Sequence, residues 1–196
     1  MIRNPKYVEA NGRQYKINTN FKYAMECDRI AKDETIGDFE RALAIIYTLF
    51  GDKGLEHQDD YEKLLKMALK YLSCGKEVVN NDKPDMDFIQ DYNLIWTSMY
   101  SDYNGLDIDK VDIHWWKFVD MMDGLSNSEL GNCCVLNRIR NLRNFDVSQI
   151  KDLNERSKII KAKKQVELKR NKKEVDVKLT REQQESVDEF YKALGF

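Results

Sequence analysis

The chain contains few of the residues that interrupt regular structure or build enzyme sites. Its 196 residues include two prolines, nine glycines and two histidines. Helices therefore meet few breaks, and a site built on histidine has only His57 and His114 to draw on. No apolar run approaches the roughly 18 residues that span a bilayer, and the start of the chain lacks a signal-peptide stretch. We therefore expect a soluble cytosolic protein without membrane contact.

The sequence motifs of the common catalytic and cofactor sites are also missing. The chain has no phosphate-binding loop, no glycine-rich dinucleotide turn and no Gly-x-Ser-x-Gly elbow. The cysteines contain no Cys-x-x-Cys pair, which argues against a zinc site. We expect free thiols at Cys27, Cys74, Cys133 and Cys134. The sequence predicts no catalytic residue, no metal and no cofactor.

The residues that are present support a folded core with a very polar surface. Hydrophobic residues make up 42 %, including 10 Tyr, 8 Phe and 3 Trp, and charged residues make up 34 %. The charges are divided along the chain. Residues 1–135 carry 24 acidic and 16 basic side chains, whereas residues 136–196 carry 10 acidic and 16 basic. The pattern indicates an acidic body and a basic tail.

Apolar spacing and cap residues predict a mainly α protein. Asn11-Gly12 between two short alternating runs predicts a β-hairpin over 7–17. Cap residues are Asp112 for the helix that contains Trp115, a Ser126–Glu129 capping box for the next helix, and Asp146–Gln149 for the one after it. The predicted helices are 21–31, 38–50, 61–72, 88–103, 113–123, 126–142, 146–171 and a last one that begins near Thr180.

The fold expected from these elements is a helical bundle with a small N-terminal β-hairpin and an extended basic C-terminal helical tail. We place the helical core domain at 1–144 and the basic helical tail at 145–196. The helix predicted over 146–171 is mostly polar, so we expect it to project or to pack loosely. The basic residues of the tail are Lys158, Lys161, Lys163, Lys164, Lys169, Arg170, Lys172 and Lys173.

The tail ends in a short amphipathic helix, and an exposed helix of this kind needs a partner. Its compact apolar face consists of Val187, Phe190, Tyr191 and Leu194. The adjacent Trp115 and Trp116 offer a second candidate contact, because consecutive helical side chains point about 100° apart. We expect Trp115 in the core and Trp116 half exposed and able to anchor an interface. The candidate protein-binding residues are therefore Trp116, Val187, Phe190, Tyr191 and Leu194.

Two features resemble metal sites only superficially. His114 stands at the start of a predicted helix, and no zinc spacing links it to Asp112 or Cys133, so we interpret it as a structural or capping imidazole. Asp107, Asp109 and Asp112 are closely spaced carboxylates. An EF-hand loop needs a different ligand spacing and a central glycine, so we expect no calcium site there.

The basic run between Arg156 and Lys173 leaves two alternatives open. Clustered Lys and Arg neutralise nucleic-acid phosphates, but this run contains no aromatic residue to stack on bases, and Glu167 dilutes it. We therefore do not expect nucleic acid as the main partner. A basic helix that docks on an acidic protein surface is at least as consistent with the pattern.

Several short motifs resemble a bacteriophage tail-morphogenesis family known as gene product fifteen, from siphophages of Gram-positive hosts. The most specific motif is Ile113-His114-Trp115-Trp116-Lys117-Phe118, followed by Gly124-Leu125-Ser126. The opening hairpin with Asn11-Gly12, the Ile17–Phe21 segment and the Tyr71–Lys76 segment also resemble the family. The resemblance covers residues 7–142, and the basic tail after Asn144 departs from the family pattern.

The resemblance implies a tail assembly chaperone encoded beside the tape measure gene. Such a protein binds the tape measure protein and recruits the tail-tube protein, and it works in the host cytoplasm without entering the mature virion. The resemblance carries no catalytic residue. A structural virion component, such as a helical tail adaptor or connector, is the alternative. Homo-oligomerisation and pairing with a frameshifted product are left open.

Overall fold

A computed structural model of the chain describes residues 4–76, 84–127 and 133–169, and these residues form two compact units. The first unit contains residues 4–76 and 113–118. The second contains residues 84–112, 119–127 and 133–169. The predicted mainly α fold with a small N-terminal β-hairpin is confirmed. The division into 1–144 and 145–196 stays a prediction.

The first unit opens with the predicted hairpin. Strand β1 (Tyr7–Ala10) pairs antiparallel with strand β2 (Arg13–Lys16). Asn11 and Gly12 form the turn with φ of 49° and 77°. Positive φ at both turn positions matches the right-handed twist of the two strands, which is why Asn-Gly favours this connection.

Three helices complete the first unit in the predicted positions. They are α1 (Phe21–Ala31), α2 (Asp38–Phe50) and α3 (Tyr61–Leu72). Asn20 caps α1, since its side chain accepts a hydrogen bond from the Lys22 amide at 2.9 Å. The fully buried side chains from these helices include Phe21, Ile46, Leu49 and Leu64. Each contributes roughly 1.5–3 kcal/mol by burial, so packing outweighs any single cap.

A buried carboxylate holds the hairpin on the start of α3. Asp60 has no exposed surface and accepts hydrogen bonds from the Tyr15 hydroxyl, from Arg13 Nη1 and from Asn11 Nδ2. The bond from Tyr15 and those from Arg13 and Asn11 keep the pKa of Asp60 below its ordinary value. Burial and the same carboxylate raise the pKa of Tyr15 to about 12. The hairpin is therefore fixed by charge as well as by packing.

This arrangement predicts a loss of stability in acid. A carboxyl group with a depressed folded-state pKa stabilises the fold fully above its unfolded value and loses that contribution as pH falls through the folded value. The free energy of unfolding should therefore fall less between pH 7 and pH 3 for Asp60→Asn than for the wild-type protein. Urea unfolding at each pH measures this. Asp59→Asn, at the exposed neighbour, should keep the wild-type slope, and equal slopes for all three proteins would contradict the role of Asp60.

The second unit is built from the remaining helices. They are α4 (Tyr92–Asp102), the end of α5 (Trp115–Asp123), α6 (Val135–Asn144) and α7 (Leu153–Gln165). The predicted helix over 88–103 begins later than expected, because Phe88 lies in a turn before Tyr92. Helix α5 begins in the first unit and ends in the second. It ends before Gly124 as predicted, but it begins at Trp115, two residues later than a cap at Asp112 predicts.

The predicted start of α6 at the Ser126 capping box is wrong. Asn127 and Cys133 form an isolated β-bridge, and the helix begins only at Val135. Cys134 caps it by accepting a hydrogen bond from the Asn137 amide at 3.4 Å. The Ser126 amide and hydroxyl instead donate to Asp102, both at 2.8 Å. A tertiary carboxylate thus replaced the local capping pattern.

The predicted helix over 146–171 is also shorter than expected. Asp146 does accept a hydrogen bond from the Ser148 amide at 2.9 Å, but it starts only a 3₁₀ turn at Val147–Gln149. The helix α7 begins at Leu153 with Asp152 as its cap. It has no buried residue, which confirms that it packs loosely.

An ion pair links the elements of the second unit. The Arg143 guanidinium on α6 donates two hydrogen bonds to the Asp91 carboxylate, at 2.7 and 2.8 Å. It also donates to the backbone carbonyls of Asp85 and Val166, at 2.9 and 2.6 Å. The side chains of Arg143 and Asp91 are only 11 % and 3 % exposed. One side chain therefore joins α6 to the segment before α4 and to the end of α7.

None of the four cysteines lies in a disulfide bond, as predicted, and Cys27 and Cys134 are buried. Burial raises the pKa of Cys27 to about 12, so this thiol stays protonated at neutral pH. Among the described helices, none is both long and apolar enough to cross a membrane.

Candidate protein-binding surfaces

Three of the motifs that resemble the phage family meet in the first unit. The Trp115 amide donates to the Thr19 carbonyl at 2.8 Å, and the Phe21 amide donates to the Ile113 carbonyl at 2.9 Å. Asn20 and His114 form an isolated antiparallel bridge between these two segments. The Tyr71 hydroxyl also points to the Thr19 carbonyl, at 3.4 Å. The motifs are therefore parts of one packed junction.

The two tryptophans cap the carboxyl end of α3. The indole N–H of Trp115 donates to the Leu72 carbonyl at 2.9 Å, and that of Trp116 donates to the Tyr71 carbonyl at 2.8 Å. The Leu72 carbonyl has no partner within the helix, so the Trp115 indole satisfies a group that water would otherwise bind. The Trp116 indole adds a second donor to the Tyr71 carbonyl, which already accepts from the Cys74 amide at 3.0 Å. Gly75, with φ of 71°, lets the chain turn away beside Trp116.

The predicted difference in burial between the two rings is confirmed. Trp115 is 5 % exposed, and its ring stacks near Phe118 at 6.0 Å. Trp116 is half-buried and stacks beside Tyr71 at 6.1 Å. Part of the Trp116 ring is thus held in place by its indole hydrogen bond and still reaches the surface. Its use as an interface anchor stays a prediction.

His114 is a capping residue, as predicted, and it takes the role expected of Asp112. Its Nδ1 accepts a hydrogen bond from the Trp116 amide at 3.1 Å, at the start of α5. Since Nδ1 accepts, the proton lies on Nε2, which donates to the Pro5 carbonyl at 3.1 Å. Both ring nitrogens are engaged, so neither has a lone pair for a metal. No group of three potential metal-binding side chains occurs in the described parts of the chain.

A row of aromatic side chains lies on one side of α4. Tyr92, Trp96 and Tyr100 are four residues apart, and the Trp96 and Tyr100 rings stack at 5.0 Å. Tyr100 is 46 % exposed, whereas Tyr92 and Trp96 are partly exposed. We call these three residues the aromatic face. It is the side of α4 that the following loop borders.

Acidic residues in this loop border the aromatic face. Asp107 forms an ion pair with Lys110 at 2.9 Å and accepts a hydrogen bond from the Trp96 indole at 3.1 Å. Both interactions keep the pKa of Asp107 below its ordinary value. The Asp109 carboxylate accepts from the Tyr92 hydroxyl. Burial and this bond raise the pKa of Tyr92. The aspartates considered above for calcium thus hold the loop against aromatic rings.

The basic tail is described only as far as residue 169. Helix α7 directs Leu153, Ile160, Lys161 and Lys164 to solvent, and we call these residues the outward face of α7. Leu153 is 78 % exposed and Ile160 is 40 % exposed. Of the other predicted basic residues, Lys158 and Lys169 are exposed and Lys163 is half-buried. Outside the described residues lie Arg170, Lys172, Lys173, Val187, Phe190, Tyr191 and Leu194.

Sequence reasoning missed the aromatic face as a site. The helical stripe formed by Phe88, Tyr92, Ile95, Trp96, Met99 and Tyr103 predicts a buried core face that does not include Tyr100, and only Ile95, Ser98 and Met99 of α4 are buried. The signal that could have identified it is the tyrosine hydroxyls and indole N–H at this spacing, followed within ten residues by aspartates. Aromatic residues with a polar group suit a surface that is partly wet.

Comparison with known proteins identifies the family. The model of the family described as Bacteriophage Gp15 protein matches residues 3–168. No curated protein and no solved structure matches the chain. The family is a structural or morphogenesis family of phages and is not known for enzymatic activity. Because the match covers most of its length, the chain belongs to the Bacteriophage Gp15 protein family.

Proposed function

We propose that this protein is a tail assembly chaperone of a siphophage that infects Gram-positive bacteria. It binds helices of the tape measure protein before tail-tube subunits polymerise around them, and it recruits those subunits through residues 145–196. It acts in the host cytoplasm and is absent from the mature virion. Membership of a phage morphogenesis family supports the proposal. The aromatic face of α4 is the structural observation that carries it.

The aromatic face has the chemistry of a helix-binding surface. A client helix presents apolar side chains at intervals of three and four residues, and Tyr92, Trp96 and Tyr100 present rings at intervals of four. Tyrosine and tryptophan are the residues that most often dominate binding energy at interfaces. The hydrogen bonds to Asp107 and Asp109 fix two of the rings, so little side-chain entropy is lost when a helix binds.

Substitution of Tyr100 should weaken client binding. Tyr100 is the most exposed ring of the aromatic face, and we expect Tyr100→Ser to raise the Kd for the tape measure protein at least tenfold, or about 1.4 kcal/mol. The measurement is co-expression with the tape measure protein of the same phage, followed by co-purification and titration. The wild-type protein should raise the soluble yield of the tape measure protein, and Tyr100→Ser should raise it much less.

A matched tyrosine in the first unit provides the control. Tyr47 on α2 is 52 % exposed, so Tyr47→Ser removes a similar exposed ring from a different surface. This variant should keep wild-type affinity. No gain in soluble tape measure protein and no co-purification with the wild-type protein would reject the chaperone proposal. Equal losses in both variants would reject the aromatic face as the binding site.

A structural role in the virion is the second candidate, because the family suggests a structural or a morphogenesis role in phages. The two roles differ in the finished particle. A chaperone leaves before the tail is complete, so mass spectrometry of purified virions should find no stoichiometric amount of this protein. A tail adaptor or connector would be present in fixed proportion to the other tail proteins.

A further inference from the structure

The charge of the second unit is divided between two parts of its sequence. Residues 84–112 and 119–127 carry nine acidic side chains and one basic side chain. Residues 133–169 carry ten basic and four acidic side chains. Part of this charge is used inside the unit, as in the ion pair of Arg143 with Asp91. The outward face of α7 is basic, and within the described residues its lysines take no part in such an ion pair.

The outward face of α7 combines apolar and cationic groups in one stripe. Leu153, Ile160, Lys161 and Lys164 follow helical spacing of seven, eight and eleven residues from the first, so they lie on one side. In the described part of the chain, neither Lys161 nor Lys164 lies within 4 Å of a carboxylate. A stripe with two exposed aliphatic side chains and two unpaired cations suits an acidic partner with an apolar surface.

The aromatic face of α4 has the complementary chemistry. Its rings match the aliphatic groups of Leu153 and Ile160, and lysine ammonium groups bind favourably over tryptophan and tyrosine rings. Asp109, which accepts the hydrogen bond from Tyr92, is exposed, and so is Asp112, three residues further along the chain. Cationic and aliphatic groups on one surface therefore correspond to acidic and aromatic groups on the other.

In the described residues, no hydrogen bond or ion pair joins these two surfaces. Hydrogen bonds hold α7 by its other side and its end: Lys163 Nζ donates to the Phe145 carbonyl, and the Lys169 amide donates to Gln90 Oε1 at 2.8 Å. The side-chain hydrogen bonds of the aromatic face go to the loop at Asp107 and Asp109. Because Leu153 and Ile160 are exposed, the outward face of α7 is open to a partner in another molecule.

We propose that the outward face of α7 binds the aromatic face of α4 in a second copy of this chain. The contact is head-to-tail, because the two surfaces differ. One helix packed on another buries less area than a stable interface, so the association depends on concentration. Charge contributes much of the attraction, so the association also weakens as salt rises.

The proposal is tested with the purified full-length protein alone by analytical ultracentrifugation. The wild-type protein should associate reversibly at low salt, and its Kd should rise at least tenfold between 50 mM and 500 mM NaCl. The variant with Lys161→Glu and Lys164→Glu should be monomeric, as should the variant with Asp109→Lys and Asp112→Lys. Circular dichroism confirms that each variant is folded.

Mixing the two variants gives the decisive result. The reversed charges complement each other, so the mixture should form mixed oligomers although each variant alone is monomeric. The control carries Lys53→Glu and Lys70→Glu, two exposed lysines of the first unit, and should associate as the wild type does.

A wild-type protein that stays monomeric at every concentration would overturn the proposal, and so would a mixture that stays monomeric. Steep salt-dependent binding of duplex DNA by a monomeric protein would also overturn it and assign the lysines to phosphate instead. No client is present, so failure here leaves the chaperone proposal untouched.

Discussion

Replacing Arg143 with alanine should lower the free energy of unfolding of the second unit by about 3–5 kcal/mol. The substitution leaves the Asp91 carboxylate buried without its counter-ion, and removing one partner of a buried ion pair is far more costly than removing both. It also leaves the carbonyls of Asp85 and Val166 without the donors they now have. We expect α7 to separate from α6 in this variant, because the bond to Val166 is one of the few that hold it.

Urea unfolding followed by circular dichroism measures the loss, and two arginine variants calibrate it. Arg138→Ala, on the exposed side of the same helix, should change the free energy of unfolding by less than about 0.5 kcal/mol. The free energy of unfolding of Arg143→Lys should lie between those of the two alanine variants, since lysine keeps the charge but cannot make the bidentate hydrogen bonds of arginine. Equal stability of Arg143→Ala and Arg138→Ala would show that the ion pair does not hold the unit together.

Replacing Phe118 with alanine should destabilise the first unit by about 3–5 kcal/mol. The Phe118 ring is fully buried and stacks on Phe21 at 4.2 Å with an interplanar angle of 8°. Truncation opens a cavity at the junction of Thr19, Trp115 and α1, where the packed segments come from distant parts of the chain. The loss should therefore exceed that of a typical surface substitution several-fold.

The same unfolding measurement checks this result, with a neighbour as the control. Lys117→Ala changes an exposed side chain of the same helix and should leave the free energy of unfolding within about 0.5 kcal/mol of the wild type. Near-ultraviolet circular dichroism reports on the packing of the three tryptophans, of which Trp115 and Trp116 lie at this junction. An unchanged tryptophan signal together with unchanged stability in Phe118→Ala would contradict the assignment of this ring to the core.

Elements set by local rules were predictable from the sequence. The β-hairpin follows from Asn11-Gly12, because the positive φ of the turn is a property of those two residues. Helices α2 and α3 follow from apolar spacing that is long and regular. The burial of Trp115 and the partial exposure of Trp116 follow from the 100° between consecutive helical residues.

Elements set by distant partners were not predictable. Ser126 has a good capping sequence, yet its hydroxyl binds Asp102, which is 24 residues away. Asp146 caps as expected, but the helix does not continue from it. The partner of Arg143 on α6 could not be named from the sequence, since nothing local selects Asp91 from among the other acidic residues. Local capping signals compete with tertiary hydrogen bonds, and here the tertiary bonds prevailed.

The candidate sites divide in the same way. Apolar spacing assigns Tyr92 and Trp96 to a core stripe that does not include Tyr100, because a stripe of tyrosine and tryptophan has the same period whether it is buried or exposed. The hydrogen bonds to Asp107 and Asp109 reveal the difference, since they hold the rings at the surface. The basic character of α7 was evident from the sequence, whereas the aliphatic members of its outward face required the structure.

Hydrogen–deuterium exchange of this protein with and without the tape measure protein tests the central claim most directly. At 500 mM NaCl, where self-association is suppressed, bound client should slow amide exchange in α4 and in residues 103–112, which border the aromatic face. Exchange in α2, around the control residue Tyr47, should not change. Unchanged exchange across α4 at saturating tape measure protein would contradict the claim that this face holds another polypeptide.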